Sequence, residues 1–146
     1  MRKFIFLFSL CMLFFGIMTN AADKIIEFSK SPVSIQHFIK THFAEQTVIR
    51  VEKERHEYKV LLQNSTEVEY NKQGEWTEVD MNNMALPQSV VILIPQNIRN
   101  YVEQNYVGRS IESVKKTRRG YEIDLVGKPD VELKFNKAGE FLRMDD

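Results

Sequence analysis

Carboxylates spaced two residues apart are the most prominent reactive groups in this 146-residue chain. Glu67 and Glu69 flank Val68, Glu122 and Asp124 flank Ile123, Glu132 and Lys134 flank Leu133, and Lys59 and Leu61 flank Val60. On a strand, a spacing of two places such side chains on one face and the apolar residue between them on the other. Paired carboxylates can perform glycosidase acid–base chemistry, but one of them must be enclosed so that its pKa rises. Nothing in the pattern encloses Glu67 and Glu69. Other reactive material is sparse: the histidines are His37, His42 and His56, and the one cysteine is Cys11. His37 and His42 fall on different sides of a helix and do not form a pair. No serine sits in a Gly-x-Ser-x-Gly setting and there is no glycine-rich phosphate loop. The expectation is therefore no catalytic centre, no metal and no cofactor.

Three further groups invite a role. His42 projects within an apolar helical arc between Phe38 and Ile39, near a helix C-terminus, where the expected task is to satisfy late carbonyls. Lys115, Lys116, Arg118 and Arg119 form a basic cluster at an expected hairpin tip; without interleaved aromatics it predicts solvation and no nucleic-acid partner. Trp76 and Phe141 occupy matching places in a repeat, which favours a core role over a sugar platform.

That repeat supplies the elements that position these residues. Tyr58 to Trp76 (YKVLLQNSTEVEYNKQGEW) returns as Tyr121 to Phe141 (YEIDLVGKPDVELKFNKAGEF), both ending in Asn, Lys, any residue, Gly, Glu and an aromatic. Equivalent residues lie about 63 positions apart up to Leu125 and about 65 thereafter, the difference falling in the turn at Gly127, Lys128 and Pro129. Upstream of each copy, apolar residues recur at three and four: Ile35, Phe38, Ile39 and Phe43, then Ile98, Tyr101, Val102 and Tyr106. Ser31 is expected as the first N-cap with Pro32 at the first helical position, and Pro95 opens the second helix. Downstream, period-two alternation predicts half-buried antiparallel strands. Asn71 to Gly74 and Asn136 to Gly139 read as tight turns with a glycine bulge. Val48 with Val51 and Ile111 with Val114 are three apart, predicting a strand bulge in both copies. Met81 to Leu86 is a polar linker, and Val90 to Ile94, between prolines, is expected as a short helical turn with Ile94 outside it. For Asp23 to Lys30 an edge strand and a mobile leader both remain open.

Each copy thus reads as one helix and four strands, about 31–80 and 87–146. One helix cannot cover a sheet alone, so the two copies should share a sheet with both helices on one face, forming a single α+β domain over 23–146. Residues 1–22 read as a signal peptide: Arg2 and Lys3, an apolar run from Phe4 to Ile17, then Thr19 to Ala22, with cleavage after Ala21 or Ala22. Removing Arg2 and Lys3 from the 20 basic residues leaves 18 against 20 acidic ones, so charge favours neither nucleic acid nor anionic membrane. The expected product is periplasmic or secreted, with no membrane span after processing.

The helix opened by proline and the twice-used Tyr, alternating apolars, then Asn-Lys-x-Gly-Glu-aromatic resemble the secreted PepSY-like, β-lactamase-inhibitor-like family of Bacteroides-type bacteria, over Pro32 to Asp146. The resemblance implies an eight-stranded antiparallel sheet with helices on one face, similar to the β-lactamase inhibitory protein, and an extracytoplasmic location. The functional expectation is a non-catalytic exported module that binds a protein partner, in its sharper form an inhibitor of an extracytoplasmic enzyme. Its surface would be the sheet face opposite the helices, bearing Lys59, Leu61, Glu67, Glu69, Glu122, Asp124, Glu132 and Lys134. The alternative is a binder of a small molecule or envelope component, using a pocket between helices and sheet lined by Tyr58, Tyr101, Tyr106 and Tyr121.

Overall fold

The computed structural model describes residues 24–145; the expected signal peptide and its cleavage site lie outside the described residues. Nine antiparallel strands pair in strict chain order, β1 Lys24–Ile26, β2 Val48–Lys53, β3 Glu57–Leu62, β4 Glu67–Asn71, β5 Trp76–Asp80, β6 Ile111–Lys116, β7 Gly120–Leu125, β8 Val131–Asn136 and β9 Phe141–Asp145. Helices α1 Val33–His42, α2 Gln88–Val91 and α3 Gln96–Asn105 interrupt the meander. Each repeat supplies one long helix and four strands, as the α+β reading expects. The ninth strand, β1, exceeds the eight that the family resemblance implies. It settles the open choice for the leader: Ile26 pairs with Val51 at the sheet edge.

Alternation sends Val51, Val60, Val68, Val79, Val114, Ile123 and Leu133 inward, each at most 1% exposed, where they meet Ile35, Phe38, Ile39, Ile98 and Val102 of the helices. The repeats share this core. They join at β5 and β6, where Val79 faces Val114. The expected bulges occur in both copies, between Val48 and Arg50 and between Ile111 and Ser113. The segment Val90 to Ile94 enters as α2 with Ile94 beyond its end, 1% exposed. The linker before it is more tied down than its polar sequence suggests. Met81 and Leu86 are buried, and their N–H groups donate to Glu112 and Ile111 of β6.

The N-cap expectation needs correction. Pro32, not Ser31, takes the non-helical N-cap position of α1, and Pro95 takes the same position before α3. Ser31 donates its hydroxyl instead to the Phe28 carbonyl at 2.6 Å, closing a single 3-10 turn over Phe28–Lys30. That carbonyl lies three residues back, within reach of a short side chain, so the local turn takes the hydroxyl from the helix.

The repeat extends to side-chain contacts. Phe38 of α1 lies edge-on to Tyr70 at 5.8 Å and beside Trp76 at 6.1 Å; Tyr101 of α3 lies edge-on to Phe135 at 5.4 Å and stacks on Phe141 at 4.6 Å. Both hairpin turns carry a left-handed glycine, Gly74 at φ 80° and Gly139 at φ 77°. Asn71 and Asn136 brace these turns by accepting backbone N–H bonds from Glu75 and Glu140.

Candidate functional site

Cross-strand register assembles the outward side chains into rows. In one row opposite charges mostly face each other, Glu52 with Lys59, Lys59 with Glu69, Glu78 with Lys115, Lys115 with Glu122 and Glu122 with Lys134, and like charges meet where Glu69 faces Glu78 and Lys134 faces Arg143. The lysines here are shared between carboxylates. Lys59 lies 3.2 Å from Glu54 and 3.8 Å from Glu69, Lys115 lies 2.8 Å from Glu78, and Lys134 lies 3.1 Å from Glu132 and 2.9 Å from Asp145. Burial works against the Lys59 charge, but the hydrogen bond to Glu54 and the surrounding carboxylates outweigh it and raise its pKa.

The neighbouring row is different. From Leu61 it runs through Glu67, Asp80, Ser113, Asp124, Glu132 and Asp145, each facing the next across the strands. It contains five carboxylates; Arg50 faces Leu61 at its end, and Lys134 reaches Glu132 and Asp145 from the neighbouring row. Like charges directly opposite each other are destabilising. Burial pushes the Glu67 carboxyl up, and the charge of Asp80 adds to this. Asp124 is pushed up to about 6 by burial, against the hydrogen bond it accepts from Ser113 at 2.6 Å, with the charges of Glu132, Asp80 and Glu78 adding to the rise. Glu69 and Glu78 are likewise raised, chiefly by burial, despite nearby lysines. The face is thus half-buried, and burial raises the pKa of Glu67, Glu69, Glu78 and Asp124, although the sequence pattern showed nothing that encloses Glu67 and Glu69.

All eight residues expected on this face lie on it, and the register brings them together in facing pairs: Lys59 with Glu69, Leu61 with Glu67, Glu122 with Lys134, and Asp124 with Glu132. Sequence reading missed Glu78 and Asp80 of β5, Ser113 and Lys115 of β6, and Asp145 of β9. The alternation of Glu78, Val79 and Asp80 carried the signal for two of them. Ser113 was hidden by the β6 bulge, which shifts the strand phase between Ile111 and Val114.

The basic cluster does not act as one group. Lys115 belongs to the outer face, whereas the Lys116 ammonium lies 3.4 Å from the centre of the Trp76 ring on the helix side. Arg118 and Arg119 stand exposed at the turn, and Lys116 is exposed beside it. His42 also departs from expectation: its Nδ1 lies 2.9 Å from the Ser89 hydroxyl of α2, across the core edge. Its counterpart Asn105 does what was expected of both, donating to the Tyr101 carbonyl one turn back. α2 stands within reach of the C-terminal end of α1, which gives His42 a partner outside its own helix.

A cleft of about 540 Å3 opens between α1 and the β4–β5 hairpin, lined by Phe38, His42, Tyr70, Trp76 and Lys116 among others. None of Tyr58, Tyr101, Tyr106 or Tyr121 lines it. Around Tyr101 the rings of Phe135 and Phe141 fill the space instead.

The sequence matches the profile described as "Putative beta-lactamase-inhibitor-like, PepSY-like" over residues 17–65 and 56–143. Three solved structures from Bacteroides are similar over most of the chain. One, described as a putative calcium-regulated periplasmic protein of Bacteroides thetaiotaomicron, is 30% identical with a TM-score of 0.75, covering 85% of this chain and 97% of its own. Another, a putative periplasmic protein of unknown function from Bacteroides vulgatus, is 31% identical with a TM-score of 0.77, covering 86% of this chain and 100% of its own. A third, also described as a putative periplasmic protein of Bacteroides vulgatus, is 30% identical with a TM-score of 0.77, covering 86% and 98%. No protein of curated function matches. Among the described residues no helix is long and apolar enough to cross a membrane.

Proposed function

The chain belongs to the PepSY-like, putative beta-lactamase-inhibitor-like family, and on that basis we propose that it is a non-catalytic, exported binding module of the bacterial envelope that presents the outer face of its sheet to a protein partner. The observation that carries this reading is the middle of the acidic row, where Glu67, Asp80 and Asp124 face one another or Ser113 and no cation. Burial and neighbouring carboxylates hold Glu67 and Asp124 above the ordinary carboxylate range, and a partner bringing lysine or arginine there relieves the repulsion, whereas Glu132 and Asp145 already share Lys134. Such complementarity steers encounter and selects partners more than it adds raw affinity. Leu61, between Arg50 and Glu67 in the row, is the apolar candidate for an anchor. The periplasmic descriptions of the similar structures support the compartment, and the signal-like N-terminus agrees with them.

The family description makes an extracytoplasmic enzyme the first partner class to try, with inhibition as the consequence of covering its active site. Calcium, named for one relative, is not carried over. Among the described residues no three His, Cys, Asp or Glu side chains converge to hold a metal ion.

The test is capture of a partner from envelope extract, followed by association kinetics with the purified partner for wild type and for Glu67→Lys with Glu132→Lys. A lysine at either position would face a carboxylate, Asp80 or Asp145, so the fold is expected to hold. The double variant should associate at least about tenfold more slowly at low salt, and the difference should shrink as salt rises. Equal rates from a folded double variant would remove the outer face from the proposal.

A further inference from the structure

The cleft between α1 and the β4–β5 hairpin contains a group that the fold itself does not need. Tyr70 is 0% exposed, and its hydroxyl has no hydrogen-bond partner within the protein. A buried hydroxyl left unbonded is costly. The second repeat shows that the cost is avoidable: Phe135 occupies the equivalent position, 2% exposed, with the same edge-on contact to a helix aromatic and no hydroxyl. Packing therefore does not account for the oxygen on Tyr70.

The rest of the cleft differs between the repeats in the same direction. Trp76 stands where Phe141 stands in repeat two, and His42 where Asn105 stands. Lys116 arrives from repeat two across the β5–β6 join and places its ammonium 3.4 Å from the centre of the Trp76 ring. Among the described residues β9 is an edge strand, and Phe141 on it is 38% exposed. Among the described residues no carboxylate lies within ion-pair distance of Lys116. Burial lowers its pKa, with Glu75 acting in the opposite sense. Glu75, the one carboxylate in the lining, is engaged by the Asn71 side-chain amide at 2.7 Å. Aromatic walls and one cation thus line a cleft of about 540 Å3, within the ~300–1,000 Å3 range typical of small-molecule sites, and Tyr70 with its unbonded hydroxyl belongs to the same lining.

We propose that this cleft binds a small organic acid with an apolar, ring-sized body, the body lying against Phe38 and Trp76 and the carboxylate taking hydrogen bonds from Lys116 and the Tyr70 hydroxyl. An ionised acceptor suits these donors because charge-assisted hydrogen bonds are the stronger kind. The site is separate from the outer sheet face, which lies on the other side of the sheet, so either can fail without the other.

Trp76 is the one tryptophan in the chain and reports on the cleft directly. The experiment titrates the full protein at pH 7 with phenylacetate and with the neutral phenylacetamide, reading Trp76 fluorescence, and repeats this for Tyr70→Phe and Lys116→Met. Saturable binding of the acid is expected, with the amide at least about tenfold weaker, because a carboxylate's charge-assisted bonds are lost. Each variant should weaken the acid by about tenfold, the usual order for losing a hydrogen bond to a charged group. Tyr70→Phe should fold at least as stably as wild type, since Phe135 fills the same position. No saturation by about 20 mM acid, at the weak end of small-ligand affinity, would overturn the proposal, as would equal binding of acid and amide, or wild-type affinity in both folded variants.

Discussion

Gly74 and Gly139 carry the sharpest residue-level expectation. Each has positive φ, and a Cβ at Gly74 would run into the Ser34 hydroxyl while one at Gly139 would run into the Asn97 amide. Gly74→Ala and Gly139→Ala should each destabilise by about 1–2 kcal/mol, read from denaturant midpoints. Unchanged midpoints in both would contradict the turn assignment. Asp124 gives a pH signature. Its folded pKa near 6 lies above the ordinary value of 3.8, so the folded state keeps the proton longer than the unfolded state. Its contribution to stability is full below about pH 4 and is lost as pH rises through about 6. Asp124→Asn, which can still accept the Ser113 hydrogen bond, should therefore raise stability at pH 7 by about 1–2 kcal/mol and have little effect at pH 4. His42 works in the opposite sense, because burial and His37 lower its pKa and the unfolded state protonates first. Comparing Asp124→Asn with wild type at each pH cancels that contribution. A constant difference between pH 4 and pH 7 would contradict the account.

Elements were the most legible scale. Period-three-and-four apolar residues marked α1 and α3, alternation marked the strands, and the twice-used Asn-Lys-x-Gly marked both turns, because in each case one local physical rule decides the outcome. The bulges at Val48 and Ile111 were also legible, since an apolar spacing of three cannot stay in phase with a strand. What failed depended on neighbours distant in sequence. The Ser31 hydroxyl was claimed by a turn that its own sequence did not announce, and His42 found Ser89 some 47 residues away. The candidate site was half legible: eight face residues followed from alternation, but the acidic row emerged only when strand register placed Asp80 between Glu67 and Ser113. The join between β5 and β6 gives the element-scale prediction. Without β6, the inner side of Val79 and the edge of β5 lose their cover, so a chain of residues 24–80 should not fold alone. A cooperative melt and dispersed amide spectrum from that fragment would show instead that each repeat is independent.

For the whole molecule, the two repeats lie side by side in one sheet and each contributes to both of its faces. The helix side is filled by matched aromatic clusters, while the outer side collects carboxylates that neither repeat would gather alone: Glu67 and Asp80 come from the first, Asp124, Glu132 and Asp145 from the second, and Ser113 lies between them. A full-length chain should accordingly unfold in one transition, with fluorescence of Trp76 and far-UV circular dichroism changing together. The central claim, that the outer face meets a protein partner, is tested most directly by site-specific photocrosslinking in the bacterium that produces the protein. A benzophenone side chain is placed at Leu61 or Glu132 on the outer face, and at Lys40 or Glu103 on the exposed sides of α1 and α3. The account predicts one shared adduct from both outer positions, weakened by Glu67→Lys, and none from the helix positions. Adducts from Lys40 or Glu103 with none from Leu61 or Glu132 would contradict it and assign the partner to the helix side.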